Sequence, residues 1–278
     1  MSKRNSAEAK RAARERLRAE RARQERRRKI IRQLLVAAAV IVVLAAAAGI
    51  GTFIAHRDDG KDNTDWGAVR DQVESGEEGE YPTAPPANTT GDDHLTVRIG
   101  DEDAPNTLTL YEDPRCPACA AFEQASGEAV QEGVADGSYN VEYVFGTFLD
   151  GNLGGTGSKN ALNALGAALN VSPEAFVAYH DALYSAEHHP DERHDDFADD
   201  RNLIDIAQSV PELKDNQEFI DAVNNSTFAV WALQMSDKFQ ADEEVTGTPT
   251  LKFNGEIVDT PRTADDFRAL VEEHAQSE

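Results

Sequence analysis

Apolar residues recur along this chain in three rhythms, and the changes of rhythm mark its divisions. Leu34 to Ala55 is a run of 22 residues without a charge, long enough at about 1.5 Å per residue to cross the ~30 Å hydrocarbon core of a bilayer as one helix. From about His94 the pattern turns to alternation. Leu95, Val97 and Ile99, then Leu108 and Leu110 after the Asp103-Ala104-Pro105-Asn106 turn, predict two short strands. A helix is predicted from Pro117 to about Gly133, with Pro117 where its missing N–H costs nothing, and a strand over Val141–Phe145.

Residues 158 to about 240 then take helical spacing. Ser158 is the predicted cap of a helix carrying Ala161, Leu162, Leu165 and Leu169 on one face, and Ser172-Pro173 opens another with Phe176, Tyr179 and Leu183. Leu203, Ile204 and Ala207 predict a third, Phe219 to Val223 a fourth, and Phe228, Trp231, Leu233, Met235 and Phe239 a fifth, all read as core. Asn254-Gly255 between Thr250–Phe253 and Glu256–Val258 is a hairpin signal, and a helix from Thr263 to about His274 closes the chain. The order strand, strand, helix, strand, helical block, hairpin, helix predicts an α/β domain over residues 93–276. Its class is the thioredoxin fold with a helical insertion at about 158–240, preceded by one transmembrane helix.

Charge changes the picture at the N-terminal side. The formal net charge is −24, yet residues 1–33 hold 14 Lys/Arg against 4 acids, leaving 13 basic and 47 acidic residues for the remainder. Cationic flanks stay on the cytoplasmic side of a membrane helix. The expectation is therefore a single-pass cell-membrane protein with a basic cytoplasmic segment at 1–33, the anchor at 34–55 and the C-terminal domain outside. A cleavable signal peptide is the rival reading, since Ala45-Ala46-Ala47-Ala48 offers small-residue cleavage sites; the long basic region and an apolar run beyond the usual ~7–15 residues favour the anchor. Residues 56–92, rich in Asp, Glu, Gly, Pro, Asn and Thr, read as an acidic linker unable to bury a core. The acidic excess of the outer part argues against a nucleic-acid partner, and the basic head lacks the aromatic residues that would accompany such binding.

The chain has two cysteines, spaced as Cys116-Pro117-Ala118-Cys119 at the start of the helix that follows the second predicted strand. A Cys-X-X-Cys pair there can close a reversible disulfide, and the helix N-terminus lowers the pKa of the first thiol. Together, Asp113-Pro114-Arg115-Cys116-Pro117-Ala118-Cys119-Ala120-Ala121-Phe122-Glu123 and Val245-Thr246-Gly247-Thr248-Pro249-Thr250 resemble the DsbA-like branch of the thioredoxin superfamily. More narrowly they resemble the membrane-anchored or secreted DsbA-family proteins of high-GC Gram-positive bacteria. The resemblance spans roughly residues 93–276.

Cys116 is expected to be the exposed attacking thiol, set in an environment made by Arg115, Pro117 and Ala118, with the Arg115 side chain folding over the sulfur, and Cys119 one turn along is expected to be partly covered. Cys119 resolves the mixed disulfide. Pro249 is implied to be a cis proline opposite the cysteines, turning the Thr248 backbone toward a bound peptide. Two positions depart from the family pattern: Pro117-Ala118 stands where many such sites carry a histidine, and Leu110 stands where thioredoxin-like sites commonly bury a carboxylate. Glu112 and Asp113, out of that register, are the candidate proton relay for Cys119.

No organic cofactor and no metal are expected. Two thiols are too few for a zinc set, and His188, His189 and His194, in an Asp-rich loop, read as solvated surface. An inert structural disulfide is the bland reading of the cysteines, but so short a loop closes little chain entropy. The expected function is extracytoplasmic thiol:disulfide oxidation of cysteine-containing exported proteins. The implied membrane reoxidant is of the DsbB or vitamin K epoxide reductase type. The alternatives are a reductase or isomerase of the same fold, and a non-catalytic peptide-binding or chaperone module.

Overall fold

The structure, a computed structural model, describes residues 64–275. The basic segment and the apolar run 34–55 lie outside the described residues; among those described, no helix is long and apolar enough to cross a membrane. The sheet is built from β1 (Val97–Ile99), β2 (Thr107–Glu112), β3 (Asn140–Phe145), β4 (Thr250–Phe253) and β5 (Glu256–Val258), in the order β1-β3-β2-β4-β5. β2 runs parallel to β3, with Leu110 opposite Tyr143 and Glu112 opposite Phe145, and the other pairings are antiparallel. The alternation that predicts β2 has a consequence for chemistry. Side chains on a strand repeat every second residue, so Glu112 follows Leu108 and Leu110 inward and is buried with them.

Residues 64–92 differ from the linker that their composition predicts. They begin with α1 (Trp66–Ser75), capped by the Asp65 carboxylate accepting from Gly67 N and Ala68 N and ended by Gly76 in the left-handed region at φ 66°. Trp66 and Val69 are buried in the main core, and Trp66 Nε1 donates to Asn160 Oδ1 at 3.0 Å. Farther on, Asn88 Nδ2 donates to Leu169 O at 2.7 Å. One short amphipathic helix with a tryptophan is enough to dock a polar segment, a signal that average composition hides.

Between β3 and β4 come α3 (Phe148–Leu153), α4 (Gly157–Val171), α5 (Pro173–Tyr184), a 3₁₀ turn at Asp196–Ala198, α6 (Asp200–Ala207), α7 (Gln217–Asn224) and α8 (Ala229–Ala241). The insertion therefore starts ten residues earlier than predicted, because α3, with Asp150 and Gly151 in six residues, has no apolar rhythm. Ser172 caps α5 through Ala175 N. Ser158 does not cap α4: Thr156 is the N-cap, and the first amides of α4 are taken by two carboxylates from elsewhere in the chain, Asp150 and Asp195. Trp231, Phe228 and Phe239 are buried as core, as predicted. In the hairpin, Asn254 and Gly255 both have positive φ, at 50° and 85°, as a two-residue turn of the primed type requires. The helix that links β2 to β3 is α2 (Pro117–Ala135), and α9 (Ala264–Ala275) packs against it.

Candidate active site

Cys116 is the N-cap of α2, in extended conformation, with Pro117 as the first helical residue. This placement follows from local chemistry: a proline cannot donate to a preceding turn but is preorganised for a first one. Cys116 is buried rather than exposed and Cys119 is fully covered, because both cluster with Ala120, Leu149 and Tyr184, with Phe148 and Leu153 packed against them. Cys116 Sγ donates to Thr248 O at 3.6 Å, and the Thr248–Pro249 bond is cis. The two motifs, 132 residues apart at that contact, thus meet as the resemblance implied.

The two thiols are driven in opposite directions. A hydrogen bond from Cys119 holds Cys116 below the usual thiol range against the opposing effect of burial, with Thr248 and the amides of Cys119 and Ala118 adding to it. Burial pushes Cys119 well up, and the charges of Cys116 and Glu112 push it further. A thiolate at Cys116 next to a thiol at Cys119 is the division of labour that disulfide exchange uses.

Arg115 does not fold over the sulfur. Its guanidinium is buried, and Nη1 reaches Asp150 Oδ1 at 2.9 Å, Asp195 Oδ1 at 3.0 Å and Gly154 O at 2.9 Å. Asp150 also accepts from Ser158 N at 2.9 Å and Lys159 N at 3.0 Å, while Asp195 accepts from Thr156 N at 2.9 Å and Gly157 N at 3.0 Å. Arg115 therefore locks the residue before Cys116 to the N-terminus of α4. Asp113 is a second tie. Its Oδ1 accepts from Arg115 N at 3.0 Å and Ser158 Oγ at 2.6 Å, and its Oδ2 from Leu149 N at 3.1 Å. Burial raises it to about 7, with Asp150 adding and those three donors opposing. Its oxygens hold three elements together, which makes it a poor candidate for the relay.

Glu112, the other candidate, ends β2 fully buried, and its Oε2 meets His180 Nε2 at 2.8 Å. Glu123, one turn beyond Cys119 on α2, is buried beside them; burial, and then the charge of Glu112, push it well above the carboxylate range. These three residues bring one ligand-type atom each to within 4.8 Å of one another.

His180 is the residue the sequence reading missed, since a lone histidine in an apolar helical run reads as core. His189 departs from the solvated-surface reading. Its ring stacks on Tyr184 at 5.7 Å and meets Phe197 edge-on at 6.1 Å, and both ring nitrogens lack hydrogen-bond partners. Burial pushes its pKa down. His194 is exposed, as expected. On the far side of the cysteines, Phe239 stacks on Phe148 at 5.9 Å, and Tyr111 OH donates to Asp242 at 2.8 Å, tying β2 to the loop that leads to Thr248.

Comparison with known proteins agrees with this geometry. A thioredoxin family model, Thioredoxin_4, matches residues 92–273. Disulfide bond formation protein D of Bacillus subtilis is 25% identical over 174 residues, which cover 63% of this chain and 74% of that protein. The serine/threonine-protein kinase PknE of Mycobacterium tuberculosis is 29% identical over 119 residues, 41% of this chain, and the match spans only 20% of the kinase. Among solved structures, oxidised DsbA of M. tuberculosis superposes with a TM-score of 0.55 at 27% identity, covering 65% of this chain and 92% of that one. BdbD of B. subtilis, at 22% identity and a TM-score of 0.56, covers 70% and 100% and shares the fold. The chain belongs to the thioredoxin family, with DsbA-family thiol-disulfide oxidoreductases as its structural neighbours.

Proposed function

We propose that this chain is a thiol:disulfide oxidoreductase that oxidises exported proteins through a Cys116–Cys119 disulfide while tethered to the outer face of the cytoplasmic membrane. The observation that carries the reading is the opposed pair of thiols. Cys116 sits at a helix N-terminus below the usual thiol range and against the Thr248 carbonyl, and Cys119 is fully buried beside it. A substrate thiolate attacks Cys116 Sγ, the intramolecular S–S bond breaks, and the electron pair leaves on Cys119, which takes a proton. A second substrate thiolate then attacks its own half of the mixed disulfide and expels the Cys116 thiolate. Thr248 and the cis Pro249 supply an extended backbone edge for the substrate chain.

The membrane tether and the outward orientation rest on the apolar run 34–55 and on the basic residues before it. Reoxidation by a membrane partner of the DsbB or vitamin K epoxide reductase type rests on the family. Mixing the oxidised chain with a reduced, unfolded protein substrate tests the activity. The expected result is one disulfide gained by the substrate for each Cys116–Cys119 pair reduced; a substrate that stays reduced would leave only a peptide-binding module. Orientation is tested by labelling Cys116 in intact cells with a membrane-impermeant thiol reagent. Labelling only after lysis would remove the extracytoplasmic assignment.

A further inference from the structure

Glu112 and His180 form a buried pair that the disulfide exchange just described does not by itself require. His180 is on α5 and 1% exposed, its ring pinned edge-on by Tyr143 at 4.9 Å and Tyr184 at 4.8 Å and stacked on Phe176 at 5.8 Å. Its two nitrogens face different surroundings. Nε2 meets the buried Glu112 Oε2 at 2.8 Å, while Nδ1, which has no hydrogen-bond partner, lies 3.7 Å from Asp181 Oδ1, whose side chain is 51% exposed. A rotation of that exposed carboxylate, or one bridging water, closes the 3.7 Å gap. We propose that His180 is the proton conduit of Cys119, joining the buried Glu112 carboxylate to solvent-facing Asp181 through the two nitrogens of one imidazole ring.

The proposal rests on the disulfide-exchange reading and deepens it. Cys119 has no exposed surface, so its proton cannot pass directly to water in either direction of the reaction. Ionising it alone would put an uncompensated thiolate beside the Glu112 carboxylate, two anions in a dry site. Passing the proton to Glu112 instead leaves a thiolate, a neutral acid and an imidazolium, whose charges cancel. The other ionisable groups facing the ring do not compete. Burial drives Glu123 on α2, Tyr143 on β3 and Tyr184 on α5 toward their neutral forms. For His180 itself burial works against the charge, but the Glu112 carboxylate, its 2.8 Å hydrogen bond and the nearby Asp181 carboxylate outweigh it and push the pKa up to about 10.

The steps balance. When Cys116 has formed a mixed disulfide and Cys119 must close the ring, Cys119 Sγ gives its proton to Glu112, and the thiolate attacks Cys116 Sγ and expels the other sulfur as a thiolate. His180 then releases its Nδ1 proton through Asp181 to water, which leaves a neutral ring that keeps its Nε2 proton beside the protonated Glu112. When the disulfide is opened by a substrate, Glu112 gives that proton to the Cys119 thiolate and His180 Nδ1 takes one back from water through Asp181, which restores the carboxylate and the charged ring. His180 and Asp181 are positioning residues here, because they act through Glu112.

The test mixes the reduced full chain with excess oxidised glutathione, quenches with acid and counts the mixed disulfide and the closed Cys116–Cys119 disulfide by mass. His180→Gln should slow closing roughly 100-fold, the lower end of what a positioned acid–base group contributes. Asp181→Asn, on the surface and outside the core, should slow closing by a smaller factor and raise its solvent deuterium isotope effect, and high formate should restore Asp181→Asn alone. Closing at the wild-type rate in Asp181→Asn, or an unchanged isotope effect in both variants, would overturn the conduit. Absence of both the mixed disulfide and the closed Cys116–Cys119 disulfide in the wild-type chain would instead overturn the exchange reading and the conduit with it. Should His180→Gln not fold, the Asp181→Asn arm decides.

Discussion

Replacing Asp150 with alanine should cost the domain about 4 kcal/mol, a figure that follows from what its two oxygens hold. Oδ1 takes Arg115 Nη1 and Ser158 N, and Oδ2 takes Lys159 N, all between 2.9 and 3.0 Å, in a side chain 2% exposed. Removing one member of a buried ion pair costs about 3–5 kcal/mol because the other is left uncompensated. Arg115 keeps Asp195 and the Gly154 carbonyl, so the lower figure, about 3, applies to it. Loss of the amide contacts at the α4 N-terminus adds about 1 kcal/mol. With a urea dependence of about 2 kcal/mol per molar, the unfolding midpoint should fall by about 2 M, read from Trp66 and Trp231 fluorescence. Burial, opposed by Lys159, the amides and Arg115, raises the Asp150 pKa, so the pair itself is costly to bury. The double variant Arg115→Met, Asp150→Leu should therefore recover at least about 1.5 kcal/mol relative to the sum of the singles. A loss below about 1 kcal/mol in Asp150→Ala, or strict additivity in the double variant, would refute the claim that this pair fixes the loop before Cys116.

Three further outcomes follow from the same geometry. Cys119→Ala should move the Cys116 thiol back up, because the Cys119 hydrogen bond is the largest cause of its depression; thiolate absorbance against pH reads the shift, and an unmoved midpoint would point to the helix terminus alone. Asp113 is raised from 3.8 to about 7, so the stability linked to its proton is full below about pH 4 and lost as the pH rises through about 7. Asp113→Asn should accordingly cost less at pH 8 than at pH 5, and a pH-independent difference in urea midpoint would contradict the assignment. Trp66→Ala should cost about 3–5 kcal/mol, as for a buried aromatic of the core, whereas a residue in a solvated linker would cost under about 0.5.

Local signals were legible where the chemistry is local. Cys116-Pro117 at a helix start, Asn254-Gly255 in a turn and Ser172-Pro173 at a helix cap each act on neighbouring backbone, and each is where the sequence reading puts it. The partnership of Cys116 with Thr248 was legible only through family resemblance, since nothing in either segment names the other. What escaped are pairings across long stretches of chain. Arg115 reads as a cation beside a thiol until the fold brings Asp150 and Asp195 to it, and His180 reads as an apolar-face histidine until β2 turns Glu112 inward beneath α5. The helix α1 escaped for a different reason: its two buried apolar residues, Trp66 and Val69, are too few to change the average polarity of residues 56–92.

The central claim is that Cys116 and Cys119 form a reversible disulfide that is passed to other proteins. Its most direct test is the equilibrium redox potential of residues 56–278, read by thiol labelling across defined glutathione buffers. The account predicts reversible, two-electron exchange with a potential at or above about −180 mV, the range of disulfide donors. A potential near about −270 mV would reverse the direction to reduction, and a pair that never exchanges with the buffer would contradict the account itself.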